Sequence, residues 1–261
     1  MLKTILQKVQ RVNKPHIHIP FERIDEYLNL ANKYKINMEV FFKGAVLDNI
    51  DGSQVSTLRK RLTYNPTISI HAPFMDLSPA AIDSKIRAVT IQRFQQTLEI
   101  AHILEANIIV FHSGYEKWKY ALDANLWLQK SLETWIPLNE KAKDMGLKIA
   151  IENIFEDEPS NLKMLMDAIN SVNFGICFDT GHFNIFSQTP LSLWIEHLKP
   201  NIIELHIHDN DKSFDQHKPI GEGSFNFKEL FDNLDLQNLV ITLENHSPED
   251  VFKSLDALSR S

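Results

Sequence analysis

The sequence contains a single cysteine, Cys177, among 261 residues. One cysteine excludes an internal disulfide framework and is typical of a protein from a reducing compartment. The N-terminal stretch 1–15 has no apolar run long enough for the core of a signal peptide, and no apolar run anywhere reaches the roughly eighteen residues that a membrane span needs. We therefore expect a cytoplasmic protein without a membrane-spanning helix.

Basic residues are also scarce. The chain has 27 Lys and Arg against 34 Asp and Glu, which gives a formal net charge of −7 at pH 7. An acidic excess argues weakly against a nucleic acid or an anionic membrane as partner, because both carry negative charge. Divalent cations bound at a site would reverse the field there. The charge therefore favours a small-molecule substrate without excluding DNA.

No linker, low-complexity tract or shift in composition divides the chain, so we expect one domain over residues 1–261. Short β-branched runs alternate with segments in which apolar residues recur every three or four positions, such as 86–106 and 124–145. The predicted strands are 14–20, 37–42, 67–73, 107–114, 147–153, 173–180, 201–209 and 239–245. Eight such units predict a single (β/α)8 TIM barrel of parallel strands rather than a doubly wound sheet, with the active site at its C-terminal mouth.

Six of the predicted strands end in a side chain that can bind a metal. These residues are His71, His112, Glu152, Asp179, His206 and Glu244. Any one of them alone is more typical of a cap or a turn than of a ligand. Because all six meet at one end of a barrel, their desolvation and mutual repulsion call for a cation.

Three further donors follow in the loops, namely His182 in FDTGH and the pair Asp215 and His217. Nine N and O donors exceed the four to six that one zinc or manganese ion uses. If all nine bind, two or three Zn²⁺ or Mn²⁺ ions are implied. Two positions before the strand ends, most residues are small, but Glu204 is not, and the sequence offers no account of it.

The sequence blocks at the strand ends resemble the xylose isomerase-like TIM-barrel superfamily, also called AP endonuclease family 2, and most closely its endonuclease IV branch. The matching blocks, in order, are HAP (71–73), His112 with SG, EN (152–153), FDTGH (178–182), HIHDND (206–211), DQHKPIGEG (215–223) and LEN (243–245). The resemblance implies three zinc ions held by the nine residues. In the sugar epimerase branch it implies one manganese-type ion on the counterparts of Glu152, Asp179, His206 and Glu244.

Three functions remain open at this point. The first is hydrolysis of a phosphodiester, with Glu152, Glu244 and His182 as catalytic residues; it is favoured because His71, His112, Asp215 and His217 have no role in a mononuclear epimerase. The second is isomerisation or epimerisation of a sugar, with one ion and with Glu152 and Glu244 as the acid and base. The third is a catalytically silent binding module.

The substrate class follows from loop composition. The loop 43–54 after the second strand is acidic and lacks arginine. In endonuclease IV, which is a DNA-repair enzyme, the loop at this place is basic. It therefore favours a small phosphodiester over abasic DNA. The residues expected to contact substrate are Phe74, Trp118, His208, Lys212 and Lys218. His16 and His18 alternate on the first strand, so at least one could reach the mouth, but packing is the role that we expect.

Overall fold

The chain is described from residue 14 to residue 259 in this computed structural model, and this part forms a closed barrel of eight parallel strands in sequential order. The N-terminal stretch considered above thus lies largely outside the described residues. The strands are β1 (His16–Pro20), β2 (Asn37–Phe41), β3 (Ile68–His71), β4 (Ile108–His112), β5 (Lys148–Glu152), β6 (Phe174–Asp179), β7 (Ile202–Ile207) and β8 (Val240–Leu243). Each lies inside its predicted range, and the TIM barrel is confirmed.

Helices cover the outside of the barrel. They are α1 (Ile24–Tyr34), α2 (Gly44–Leu47), α3 (Gly52–Arg61), α4 (Ser84–Ile103), α5 (Ala124–Asp144), α6 (Ser160–Ile169), α7 (Thr180–Phe186), α8 (Leu191–Leu198), α9 (Phe227–Asn233) and α10 (Pro248–Leu258). No helix within residues 14–259 is both long and apolar enough to cross a membrane.

Aspartates fix where several of these helices begin. The side chains of Asp51, Asp83 and Asp123 accept hydrogen bonds from the first free backbone N–H groups of α3, α4 and α5. Such a cap stabilises a helix by about 1 kcal/mol because the first-turn N–H groups have no partner within the helix. The caps set the lengths of the connections that return the chain to the barrel.

The core has two layers. The larger layer lies between the sheet and the helices, where Phe94, Phe111 and Trp135 pack with ring centroids 4.6–5.5 Å apart. The smaller layer lies inside the barrel and contains Val110 and Cys177. Cys177 is fully buried, and burial raises the pKa of its thiol well above the usual value. Small side chains in this inner layer leave space above them at the mouth.

Candidate metal centre

The register of the sheet brings the strand-end donors together. His112 pairs with Glu152 across β4 and β5, and Asp179 pairs with His206 across β6 and β7. Because parallel strands present their C-terminal ends at one rim, these side chains all point into the same mouth. Glu244 follows β8 directly, and its backbone N–H donates to the carbonyl of Ile207 at 3.2 Å. The six strand-end residues thus converge as predicted.

Glu152 is the hub of the first ligand group. Its Oε2 lies 3.2 Å from His71 Nε2 and 3.3 Å from His112 Nε2. The side chains of Glu152 and His71 are almost fully buried, whereas that of His112 is 20% exposed. These three donors could hold one ion that is open to solvent on the side of His112.

The second ligand group, which we call the deep group, lies further inside the barrel and shares Glu152 with the first. It contains Glu152, Asp179, His206 and Glu244, all buried. His206 Nδ1 lies 3.4 Å from a Glu152 oxygen, 3.4 Å from a Glu244 oxygen and 3.9 Å from an Asp179 oxygen. One imidazole nitrogen therefore faces three carboxylates.

The third ligand group centres on Asp215. Its Oδ2 lies 2.9 Å from His217 Nε2 and 3.5 Å from His182 Nε2, while its Oδ1 lies 3.6 Å from His208 Nδ1. His208, which we expected to contact substrate, is fully buried and donates a hydrogen bond toward Asp179 at 3.0 Å. It sits so close beneath Gly181 that a Cβ there would lie 1.9 Å from the ring. His208 is therefore a support or a fourth donor of this group.

Asp209 holds the loop that carries Asp215 and His217. The buried Asp209 carboxylate accepts hydrogen bonds from the backbone N–H groups of Gly221 at 3.0 Å and Gly223 at 2.9 Å. The backbones of Asp209 and Lys218 also exchange two hydrogen bonds, at 2.9 and 2.8 Å. The loop is thus tied back onto the end of β7, which explains the clustered acids and histidines of this segment.

The donor set fits divalent metal ions. Zinc–ligand distances of about 2.0–2.1 Å in a tetrahedron separate neighbouring donors by about 3.3 Å, close to the 3.2–3.4 Å found around Glu152. The Nδ1 of His206 and the Oδ1 of Asp215 are buried and have no hydrogen-bond partner within residues 14–259. Unpaired buried polar atoms aimed at carboxylates are costly unless a cation lies between them.

The outer nitrogens of the ligand histidines support the same conclusion. Nδ1 of His71, His182 and His217 donates to a backbone carbonyl oxygen, at 2.8, 3.1 and 2.7 Å respectively. A carbonyl can only accept, so Nδ1 carries the proton and Nε2 is free to bind a metal. In each of the three, that free Nε2 points at Glu152 or Asp215.

The sequence from residue 37 to residue 260 matches the family model described as xylose isomerase-like TIM barrel. The chain belongs to this family. A protein of Methanocaldococcus jannaschii of uncharacterised function is 32% identical over 206 residues, which are 75% of this chain and 70% of that protein. The match confirms the family predicted from the sequence, while the endonuclease IV branch within it stays a prediction.

Solved structures of similar proteins agree on the fold. A Thermus thermophilus protein from a crystal soaked with ZnCl2 superposes with a TM-score of 0.79 at 25% identity, covering 94% of this chain and 98% of that chain. A D-tagatose 3-epimerase-like protein gives 0.78 at 29% identity, covering 94% and 96%. A D-psicose 3-epimerase, at 15% identity and a TM-score of 0.70, shares the fold.

A cavity of about 700 Å³ opens above the candidate ligands of this family member. The candidate ligands that face it are His71, His112, Glu152, His182, Asp215, His217 and Glu244, while Asp179 and His206 lie beneath. Its other walls are mostly aromatic and apolar. They include Tyr27, Phe41, Phe74, Met75, Leu77, Tyr115, Ile154, Phe155 and Phe186.

The predicted substrate contacts divide into two sets. Phe74 lines the cavity and stacks on His112 with ring centroids 4.2 Å apart. Trp118 is 74% exposed, and neither it nor Lys212 nor Lys218 lines this cavity. Lys218 is instead paired with Asp211 at 2.8 Å because the bridge to Asp209 turns it outward. The structure thus places one of the five expected residues, Phe74, at the cavity wall.

Two residues of the site were not predicted from the sequence. His18 Nδ1 lies 2.8 Å from Glu39 Oε1 and 3.0 Å from Glu244 Oε1, so His18 reaches the site rather than only packing. Glu39 is fully buried inside the barrel, and its Oε2 lies 3.2 Å from His206 Nε2. The available signal was a carboxylate between the apolar residues Met38 and Val40 of the strand NMEVF.

Glu204, unexplained by the sequence, has its place in the same inner layer. Its Oε1 accepts a hydrogen bond from Thr242 at 2.6 Å and another from Ser69 at 3.3 Å. Burial, followed by the nearby Glu39, raises the pKa of Glu204 to about 8, so the carboxyl is largely protonated at neutral pH. It touches no metal ligand through a hydrogen bond.

Metal uptake is expected to release protons. Burial alone lowers the pKa of His182 and of His217, but the carboxylates around them, Asp179 and Asp215 foremost, raise both pKa values above the usual 6.5. A raised pKa means that these imidazoles hold their protons to higher pH in the metal-free protein, and a metal ion must displace those protons. We expect calorimetric titration with Zn²⁺ in two buffers of different ionisation enthalpy to show release of about one proton or more per chain.

The affinity for zinc should depend on pH. Because the imidazole pKa values are raised, zinc affinity should fall as pH is lowered below 7 and should rise until the solution pH exceeds those values. Binding enthalpies that do not depend on the buffer, or an affinity flat between pH 6 and 8, would contradict the ligand assignment of His182 and His217.

Proposed function

We propose that this protein is a metal-dependent hydrolase of a small phosphodiester, with a di- or trinuclear Zn²⁺ or Mn²⁺ centre. The observation that carries the proposal is the assembly of three ligand groups at one mouth, two of which share Glu152. A mononuclear isomerase needs only the deep group. The first and third groups, which contain His71, His112, Asp215 and His217, have no purpose in such an enzyme.

Bound divalent ions would polarise a phosphoryl oxygen and lower the pKa of water. The protein's own groups then orient the reactants. Glu152 lies between the first and second groups and lines the cavity, where it can accept a hydrogen bond from the attacking water. Glu244 and His182 border the same floor and complete the catalytic set. As the water oxygen bonds to phosphorus, the bond from phosphorus to one ester oxygen breaks; the proton of the attacking water passes to Glu152, and the departing alkoxide takes a proton from solvent.

A small substrate suits the cavity better than duplex DNA. Apart from histidines, the cations that line it are Arg23 and Lys119. Arg23 is already paired with Glu26 at 2.7 Å, and Lys119 donates to Ser78 Oγ at 2.9 Å. Duplex recognition relies on many phosphate contacts made by free Lys and Arg. The aromatic walls fit the organic part of a single diester instead.

Metal analysis and two assays test the proposal. We expect the purified protein to carry two or three Zn²⁺ or Mn²⁺ ions per chain and to hydrolyse bis-p-nitrophenyl phosphate. An abasic-site duplex should be incised poorly by comparison. One ion per chain together with no turnover of phosphodiesters would overturn the proposal.

A sugar isomerase or epimerase is the second candidate. It is supported by the D-tagatose 3-epimerase-like protein at 29% identity. Here the deep group would hold one ion, with Glu152 and Glu244 exchanging a proton with substrate carbon. The test is proton exchange between a ketose and D2O, followed by NMR, which the hydrolase would not catalyse.

A further inference from the structure

A carboxylate and an imidazole outside the nine-residue ligand set lie against the deepest part of the centre. Glu39 comes from β2 and His18 from β1, two strands that supply none of the nine ligands. Both Glu39 oxygens are engaged, Oε1 with His18 at 2.8 Å and Oε2 with His206 at 3.2 Å. Glu39 is fully buried. Burying a carboxylate costs free energy unless it is paired, so its partners indicate its role.

His206 differs from three of the other ligand histidines in its outer partner. The outer nitrogens of His71, His182 and His217 donate to backbone carbonyls, whereas the outer nitrogen of His206 faces the Glu39 side chain. An ionised carboxylate only accepts, so Nε2 of His206 carries the proton. Nδ1 is left with its lone pair toward Glu152, Asp179 and Glu244.

His18 acts on the opposite side of the same group. Its Nδ1 lies between Glu39 Oε1 and Glu244 Oε1, at 2.8 and 3.0 Å. These separations are hydrogen-bond distances. We therefore take His18 as a hydrogen-bond donor to the two carboxylates.

We propose that Glu39 and His18 are positioning residues that select the Nε2–H tautomer of His206 and fix Glu244 for the deep metal group. The inference rests on the metal-binding part of the proposed function and holds for either reaction. Outer partners of this kind change metal affinity by about 10–100-fold. The effect should fall on the deep group and spare the first and third groups, in which His71, His182 and His217 use backbone carbonyls.

The inner layer supplies a matched control. Glu204 is also a fully buried glutamate inside the barrel, but its hydrogen bonds go to Thr242 and Ser69 rather than to a ligand. Glu204→Gln and Glu39→Gln make the same substitution in one layer, but only Glu39 faces two imidazoles as an ionised carboxylate, whereas the Glu204 carboxyl is largely protonated. Glu204→Gln therefore controls for an amide buried in this layer. A glutamine at 39 presents one oxygen and one NH2, so it can serve His18 or His206 but not both.

The experiment measures the affinity of the protein for Zn²⁺, with no substrate present. Metal-free wild type, Glu39→Gln and Glu204→Gln are titrated against a chromophoric chelator, and the ring nitrogens of His206 are followed by ¹H–¹⁵N correlation in the zinc-loaded proteins. We expect one zinc site of Glu39→Gln to weaken about 10–100-fold and the His206 tautomer signals to change. Glu204→Gln should bind within about two-fold of wild type and keep the wild-type tautomer, because the hydrogen bonds of Glu204 go to Thr242 and Ser69.

Two outcomes overturn the proposal: unchanged affinity in Glu39→Gln, or an equal loss in Glu204→Gln. If Glu39→Gln fails to fold, His18→Ala and His18→Asn replace it, with weakening expected for alanine and partial rescue by the asparagine NH2. Equal affinities for these two variants would also overturn it. A wild type with one zinc and no phosphodiesterase activity would defeat the proposed function alone, because the Glu39 effect would still be measurable.

Discussion

Replacing Glu152 with alanine is expected to remove metal from two ligand groups at once and to lower kcat/KM for a phosphodiester by about 10³-fold or more. The reason is that Glu152 contributes one oxygen beside His71 and His112 and the other beside His206. It is thereby a member of both the first group and the deep group. Metal per chain, measured by mass spectrometry after gel filtration, should fall by two ions.

Glu152→Gln refines this prediction, because an amide keeps the shape but offers a weaker ligand. We expect partial metal occupancy and an intermediate loss of turnover. Glu204→Gln is the control for changing a buried glutamate in the barrel and should retain its full metal content. If Glu152→Ala kept all its metal, the hub role of this residue would be wrong.

The barrel could be predicted from sequence because its strands are punctuated regularly. Six of the eight β-branched runs carry a polar residue such as His112 or Asp179 at or next to the C-terminal end of the strand, and each strand lies within the range predicted for it. Strand-end position also fixes side-chain direction, so convergence of these residues followed from topology alone. The sequence could therefore specify those side-chain positions that follow from the backbone of the strands.

Side chains whose direction depends on loop conformation were harder to place. Lys218 was expected at the substrate, but the hydrogen bonds between Asp209 and the 218–225 segment turn it toward Asp211. His208 follows His206 by two residues but is closed off beneath Gly181. Glu39 gave no motif, since its role comes from residues 21 and 167 positions away, His18 and His206.

The first and third ligand groups decide between the two candidate reactions. We expect His112→Ala and His217→Ala each to lower phosphodiester turnover by about 10²–10³-fold, because each removes a donor from a group that the proposed hydrolase needs. The deep group lacks both residues, so each variant should retain at least one tightly bound ion. The measurements are kcat/KM on bis-p-nitrophenyl phosphate and metal per chain.

His102→Ala provides the matched histidine control, because His102 is exposed on α4 and lies outside the ligand groups. The isomerase makes the opposite prediction for the two site variants. If Glu152 and Glu244 worked with one ion in the deep group, ketose proton exchange would survive the loss of His112 or His217 with little change. Exchange that persists in both variants, without phosphodiesterase activity in the wild type, would assign the site to sugar chemistry. If replacing either histidine lowers turnover of the diester, the reaction depends on donors that a site with one metal ion does not use.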